Sequence, residues 1–236
     1  VFALMSDYNK SISDYLKGDD KKIHDYIIKK STSLRYGENP HQSATLFTFD
    51  NLENRNIANA KIIQGKELSY NNIVDADAAW ECVREFINPA CVIVKHANPC
   101  GVAEANSIDD AYDLAFKTDP TSAFGGIIAL NKKVGLATAK EINSRQFVEV
   151  IIAPEFEEEA INEFSNKKNI RILKVDIKQD NPYPGTIKKV SGGILVQDDD
   201  EKSVGIDDLK CVTKREPSED EMQDLMFAWK VAKFVK

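Results

Sequence analysis

GIIALNKKVGLATAKEINSRQFVEVIIAP, residues 126–154, carries the plan of the fold. Gly126–Leu130 is a short apolar run, bounded by glycine on one side and Asn131-Lys132-Lys133 on the other. That length suits a strand buried on both faces rather than a helix. Ala137–Ser144 then reads as a helix. Val148–Ala153 (VEVIIA) reads as a second strand, ended by Pro154, which cannot donate to a ladder. Strand, helix, strand within so short a span is the unit of a parallel sheet.

The same alternation extends both ways. Upstream, Ala44–Phe49, Ala60–Ile63 and Ala90–Val94 read as strands. Asn72–Phe86 and Asp109–Phe116 read as helices. In the first of these, Ile73, Ala76, Ala79, Trp80 and Val83 recur at helical spacing. Downstream, Glu155–Ser165 reads as a helix and Ile170–Val175 as a strand. Ile187–Val190 and Ile194–Val196 flank a tight turn at Ser191-Gly192-Gly193. Ser218 with Glu221 is a capping-box signature opening a last helix. Residues 6–17 read as a short amphipathic helix and 18–30 as a linker. The expectation is an α/β fold, a three-layer α/β/α unit with a mixed, largely parallel sheet.

Bulk properties narrow the function. The 236 residues can bury a sizeable core. A net charge of −7 disfavours a nucleic-acid surface, which phosphates would require to be basic. No apolar run reaches the ~20 residues that span a bilayer, so neither nucleic acid nor membrane is expected as a partner. Cys82, Cys91, Cys100 and Cys211 show no paired spacing and read as reduced thiols in small core positions of a cytoplasmic protein. The chain opens on Val1 and stops at Lys236 directly after a helix-like run, so it reads as part of a longer protein.

Three segments could carry chemistry. In VIVKHANPCG, residues 92–101, a buried-type strand runs straight into Lys95 and His96. Ligands of open α/β sheets gather beyond carboxyl ends of strands. Imidazole as a group exchanges protons near neutral pH, and an ammonium supplies positive charge. Both side chains can face a ligand only if the chain leaves the strand, which Asn98-Pro99 and Gly101 would allow. The bland alternative is a strand end finished by two solvated polar residues. In LRYGENPHQ, residues 34–42, Arg35 offers a planar fork for phosphate and Tyr36 a ring and hydroxyl, on a loop made by Gly37, Asn39 and Pro40. Its alternative is an ordinary surface turn. His41 reads as a loop-structuring residue and His24 as solvated. In KTDPTSAFGG, residues 117–126, glycines would let backbone approach a ligand, while Phe124 reads first as a core residue. No P-loop and no GxGxxG is present. Pro99-Cys100 resembles part of a deaminase zinc signature, but the HxE glutamate and second thiolate are missing (Asn98, Ala103), so no zinc or other metal site is expected.

Together, RYGENPHQ (35–42), QGKELSYNNIVDADAAWECV (64–83), PACVIVKHANPCGVA (89–103), DAYDLAFKTDPTSAFGGIIALN (110–131), RQFVEVIIAP (145–154) and the closing VTKREPSEDEMQDLMFAWKVAKFVK (212–236) resemble the AICAR transformylase domain of the bifunctional purine biosynthesis family. The resemblance covers residues 34–236, and residues 1–17 resemble the tail of the preceding IMP cyclohydrolase domain. It implies a division into 1–30, tail and linker, and 31–236, the first part of the transformylase domain without its second lobe. It implies a cytidine-deaminase-like fold and transfer of a formyl group from 10-formyltetrahydrofolate to the 5-amino group of AICAR (5-aminoimidazole-4-carboxamide ribonucleotide). It implies Lys95 and His96 as the catalytic pair, Arg35 and Tyr36 as nucleotide-binding, and Asn72, Phe124, Gly125 and Glu149 as lining the AICAR pocket. A homodimer with shared active sites is also implied. Most folate-contacting positions, the downstream catalytic asparagine and the family's potassium site would fall after Lys236. Two other readings stay open: an inactive AICAR-binding or dimerisation fragment, and a zinc-free deaminase-like enzyme.

Overall fold

The computed structural model describes residues 28–49, 56–177 and 185–236. Ten strands are present among these residues: β1 (Ile28–Leu34), β2 (Ala44–Phe49), β3 (Lys61–Gln64), β4 (Ala90–Lys95), β5 (Asn98–Glu104), β6 (Gly126–Leu130), β7 (Val148–Ala153), β8 (Arg171–Lys174), β9 (Thr186–Val190) and β10 (Gly193–Gln197). The helices are α1 (Tyr70–Val83), α2 (Ile108–Thr118), the single turn α3 (Pro120–Ala123), α4 (Leu136–Arg145), α5 (Glu158–Ser165) and α6 (Glu219–Ala232). The expected helix at 6–17 and residues 18–27 of the expected linker lie outside the described residues. Residues 28–30 of that linker belong instead to β1, which pairs antiparallel with β2.

The central sheet has the order β3-β8-β7-β6-β4-β5. Its β6–β7 and β7–β8 ladders are parallel, and the other three are antiparallel. Hence β5, β6, β7 and β8 run one way, and β3 and β4 run the other. The sheet is mixed, with most strands sharing one direction, as the apolar runs imply.

Burial on both faces explains those runs. On one face Cys91, Ile93, Ile128, Leu130, Ile151 and Ile172 pack against α2, α4 and α5 through Tyr112, Ala115, Ile142 and Phe164. On the other, Val92, Val94, Ile127, Ala129, Ile152 and Leu173 meet Ala76, Ala79, Trp80 and Val83 of α1. Phe227, Val231 and Phe234, in and just after α6, extend this second layer. The result is three layers, α/β/α, as expected.

Strand β5 was not anticipated. It forms a hairpin with β4 and lies at the sheet edge, where Pro99 leaves no ladder bond unmade that the core needs. Gly101 in β5 has a packing role rather than a turn role. A Cβ there would lie 2.1 Å from the carbonyl oxygen of Ala115, so only glycine lets the strand approach α2. The capping box at α6 forms as expected: Ser218 Oγ accepts from the Glu221 amide at 3.2 Å, and the Glu221 carboxylate accepts from the Ser218 amide at 2.9 Å. Among the described residues, no helix is long and apolar enough to cross a membrane.

Candidate active site

Strand β4 ends at Lys95, and the chain reverses at once. Lys95 pairs with Asn98, so His96 and Ala97 form a two-residue loop. Both have positive φ, 54° and 55°. Such loops twist in the sense that matches the flanking strands, but they require left-handed backbone that side chains disfavour. The expected break at Asn98-Pro99 and Gly101 is therefore corrected: the chain leaves the strand at His96–Ala97, and 98–101 are already in β5. Lys95 and His96 thereby project from the end of a rigid strand and from a tight turn, Lys95 half-buried and His96 exposed.

Lys95 Nζ donates to the carbonyl of Phe124 at 2.9 Å. Phe124 follows α3, whose first turn Asp119 caps by accepting from the Ser122 amide at 2.9 Å. Hydrogen bonds from the Ser122 hydroxyl and amide hold the Asp119 carboxyl below its usual range. Phe124 is 60% exposed, not a core residue, because the chain turns out of the sheet between α3 and β6. Its ring lies 5.8 Å from that of Phe147. Gly125 has a φ of 77° and donates its amide to the Phe147 carbonyl at 2.8 Å.

Two residues on, Glu149 points toward α1. Its Oε2 accepts from Asn72 Nδ2 at 2.7 Å. Asn72 is 4% exposed and is also the N3 residue of a capping box with Ser69. One helical turn further, Asp75 Oδ1 accepts the amide of Ala97 at 2.8 Å. These contacts close a ring: Lys95, Phe124–Gly125, Phe147–Glu149, Asn72, Asp75, Ala97 and back through His96. Six of the eight residues singled out from the sequence are thus brought to one end of the sheet. That end holds the carboxyl end of β4 but the amino ends of β6 and β7, because β4 runs opposite to them.

Arg35 and Tyr36 follow β1, on a separate loop. The Arg35 guanidinium lies 5.8 Å over the Tyr36 ring. The loop closes on itself, with the Gly37 amide donating to the Gln42 carbonyl at 2.7 Å. Asn71 Nδ2 ties it to the first turn of α1 by donating to the Glu38 carbonyl at 3.2 Å. The loop and the ring are therefore anchored on consecutive residues, Asn71 and Asn72. The sequence reading missed Asp75 and Phe147; helical periodicity alone makes Asp75 a solvent-side residue.

The cysteines and one surface depression contribute elsewhere. Cys82 and Cys91 are buried, as read from the sequence, but Cys100 is half-buried and Cys211 exposed, because each lies beyond the two-faced part of the sheet. Burial pushes the Cys82 thiol up to about 12 and Cys91 higher still. The depression lies between Lys133, Leu136 and Phe156 and the acidic start of α5, away from Lys95. Among the described residues no three His, Cys, Asp or Glu side chains cluster as metal ligands would.

A three-layer α/β/α protein with an ammonium and an imidazole at a hairpin tip, tied by hydrogen bonds to α1 and to the segment after α3, has the makings of an enzyme. The family model described as the AICARFT/IMPCHase bienzyme matches residues 1–236, and the chain belongs to that family. It is accordingly a protein of purine biosynthesis.

Proposed function

We propose that this chain serves the transformylase reaction, moving a formyl group from 10-formyltetrahydrofolate to the 5-amino nitrogen of AICAR. The observation that carries the reading is the closed ring of contacts that runs through Lys95 and His96. It joins the Lys-His turn to Phe124–Gly125 and to the Asn72–Glu149 pair, and α1 links it to the Arg35–Tyr36 loop.

The AICAR amine is a weak nucleophile because its lone pair is delocalised toward the carboxamide. Attack on the formyl carbon must couple to loss of an amine proton. His96 takes that proton, directly or through the carboxamide. The new C–N bond forms, the carbonyl oxygen becomes an oxyanion, and the bond to the folate nitrogen breaks as that nitrogen gains a proton. Lys95 stabilises the oxyanion or delivers the proton. An ammonium has three donors, and Phe124 takes one. Positioned proton transfer contributes about 10²–10⁴-fold, and a donor at the oxyanion about 10²–10³-fold. Arg35 grips the ribotide phosphate as a fork, and Tyr36 packs near the heterocycle. Asn72, Phe124, Gly125 and Glu149 line the AICAR pocket.

Within this proposal AICAR and the folate are the small-molecule partners, a homodimer with shared sites is the assembly, and potassium and the remaining folate contacts belong to other residues of the family protein. Calorimetry with AICAR and with a folate analogue, followed by an assay for tetrahydrofolate release, tests it. Binding of AICAR together with formyl transfer is the expected result. Binding of neither ligand would leave a structural piece instead.

A further inference from the structure

We propose that Asp75 is a positioning residue whose carboxylate locks the left-handed His96–Ala97 turn and so fixes the direction in which His96 is presented. The inference rests on the reading of His96 as a proton acceptor in formyl transfer, and it assigns the residue that sets its geometry.

The turn is costly on its own. Two successive non-glycine residues hold φ of 54° and 55°. A left-handed residue with a Cβ is sterically disfavoured, and hairpin loops that need this conformation ordinarily use asparagine and glycine. Ala97 supplies none of that tolerance, and His96 only part of it. Something outside the loop must over-determine it. The Asp75 carboxylate does so from α1, accepting the Ala97 amide at 2.8 Å. A hydrogen bond to a charged acceptor is stronger than a neutral one, and this amide has no ladder partner of its own. A second restraint comes from within the hairpin, where Asn98 Nδ2 donates to the His96 carbonyl at 3.1 Å.

Asp75 is on a rigid helix. One turn before it, Asn72 is fixed to Glu149 at 2.7 Å, so the same stretch of α1 grips β7 and the turn. The turn therefore inherits its position from the sheet rather than from its own flexibility. Relaxing it would leave His96 on the chain but free to rotate away. A misplacement of ~1 Å can cost about 10²-fold in rate. Asparagine at position 75 retains an oxygen that can accept the Ala97 amide, whereas alanine does not.

Two measurements test the proposal. Amide hydrogen exchange on the unliganded chain reads the lock without reference to any reaction. The Ala97 amide should be protected in the wild type and in Asp75→Asn, and exchange at least tenfold faster in Asp75→Ala. Equal protection in all three would overturn the lock. The second is formyl transfer with AICAR and 10-formyltetrahydrofolate in the active protein. Asp75→Ala should lower kcat about 10- to 100-fold with KM for AICAR changed less than about threefold. Asp75→Asn should recover most of the loss. So should Ala97→Gly added to Asp75→Ala, because glycine adopts positive φ without a Cβ. Loss of activity that neither change recovers would overturn the positioning role. A wild type that shows protected Ala97 but no transfer would overturn the formyl-transfer reading and the role assigned to His96, while leaving the lock itself measured.

Discussion

Asn72 and Glu149, 77 residues apart, are joined by a 2.7 Å hydrogen bond that links the first turn of α1 to the start of β7. Asn72 also completes the capping box with Ser69, so one side chain serves both the helix start and the site. Asn72→Ala removes both functions and leaves a partly buried carboxylate without this donor. A loss of about 1–3 kcal/mol is expected. Denaturant unfolding should show a lower midpoint with an unchanged slope.

Gly101→Ala should be far worse. The new Cβ would meet the Ala115 carbonyl at 2.1 Å and drive β5 away from α2. Overpacking of this kind costs about 3 kcal/mol or more when the neighbour is backbone. Gly192→Ala is the control: nothing lies within 4 Å, and the cost is only that of its φ of +79°, about 1–2 kcal/mol. Thermal midpoints of the two variants should fall in that order.

Cysteine chemistry should follow burial. A thiol reagent at mildly alkaline pH should label Cys211 first and Cys100 more slowly, and should reach Cys82 and Cys91 only on unfolding. Peptide mass spectrometry reads this directly. The Cys82 thiol is pushed from its ordinary 9.0 up to about 12 by burial, with the Glu85 charge adding to it. Its neutral form is favoured in the fold, so its contribution to stability is intact below about pH 9 and is lost as pH rises toward 12. Cys82→Ala should flatten the fall in stability across that alkaline window.

Arg35→Ala should chiefly weaken AICAR binding. Loss of a bidentate phosphate contact in a partly solvated loop should raise the AICAR dissociation constant about tenfold or more, by removing charge-assisted hydrogen bonds worth about 1.5–3 kcal/mol. Titration calorimetry with AICAR reads it. Unchanged affinity would remove Arg35 from the phosphate site.

The strands of the central sheet most legible in the sequence were those whose burial is two-faced, while the exposed hairpin at Ile187–Val196 showed through its turn residues. Gly126–Leu130 is apolar throughout, and Val148–Ala153 is apolar except for Glu149, because helices cover both sides; their bounds match the strands. Strand β5 was not legible. Asn98-Pro99-Cys100-Gly101 carries turn residues, and its strand state comes from pairing with β4, a non-local fact. Strand β1 is similar: Lys29, Lys30 and Ser31 give no alternation, and β2 supplies the partner. At the site, Lys95 and His96 stood out by chemistry alone. Asp75 did not, because its role depends on a left-handed turn at residues that carry no glycine to announce it. Phe124 read as core because aromatic residues next to buried strands usually are.

The most direct test of the central claim is single-turnover formyl transfer by His96→Ala, with AICAR affinity measured on the same sample. With AICAR still bound at close to wild-type affinity, the rate of transfer should fall about 10²-fold or more. Transfer at a near-normal rate, with AICAR bound, would contradict the assignment of His96 as the proton acceptor.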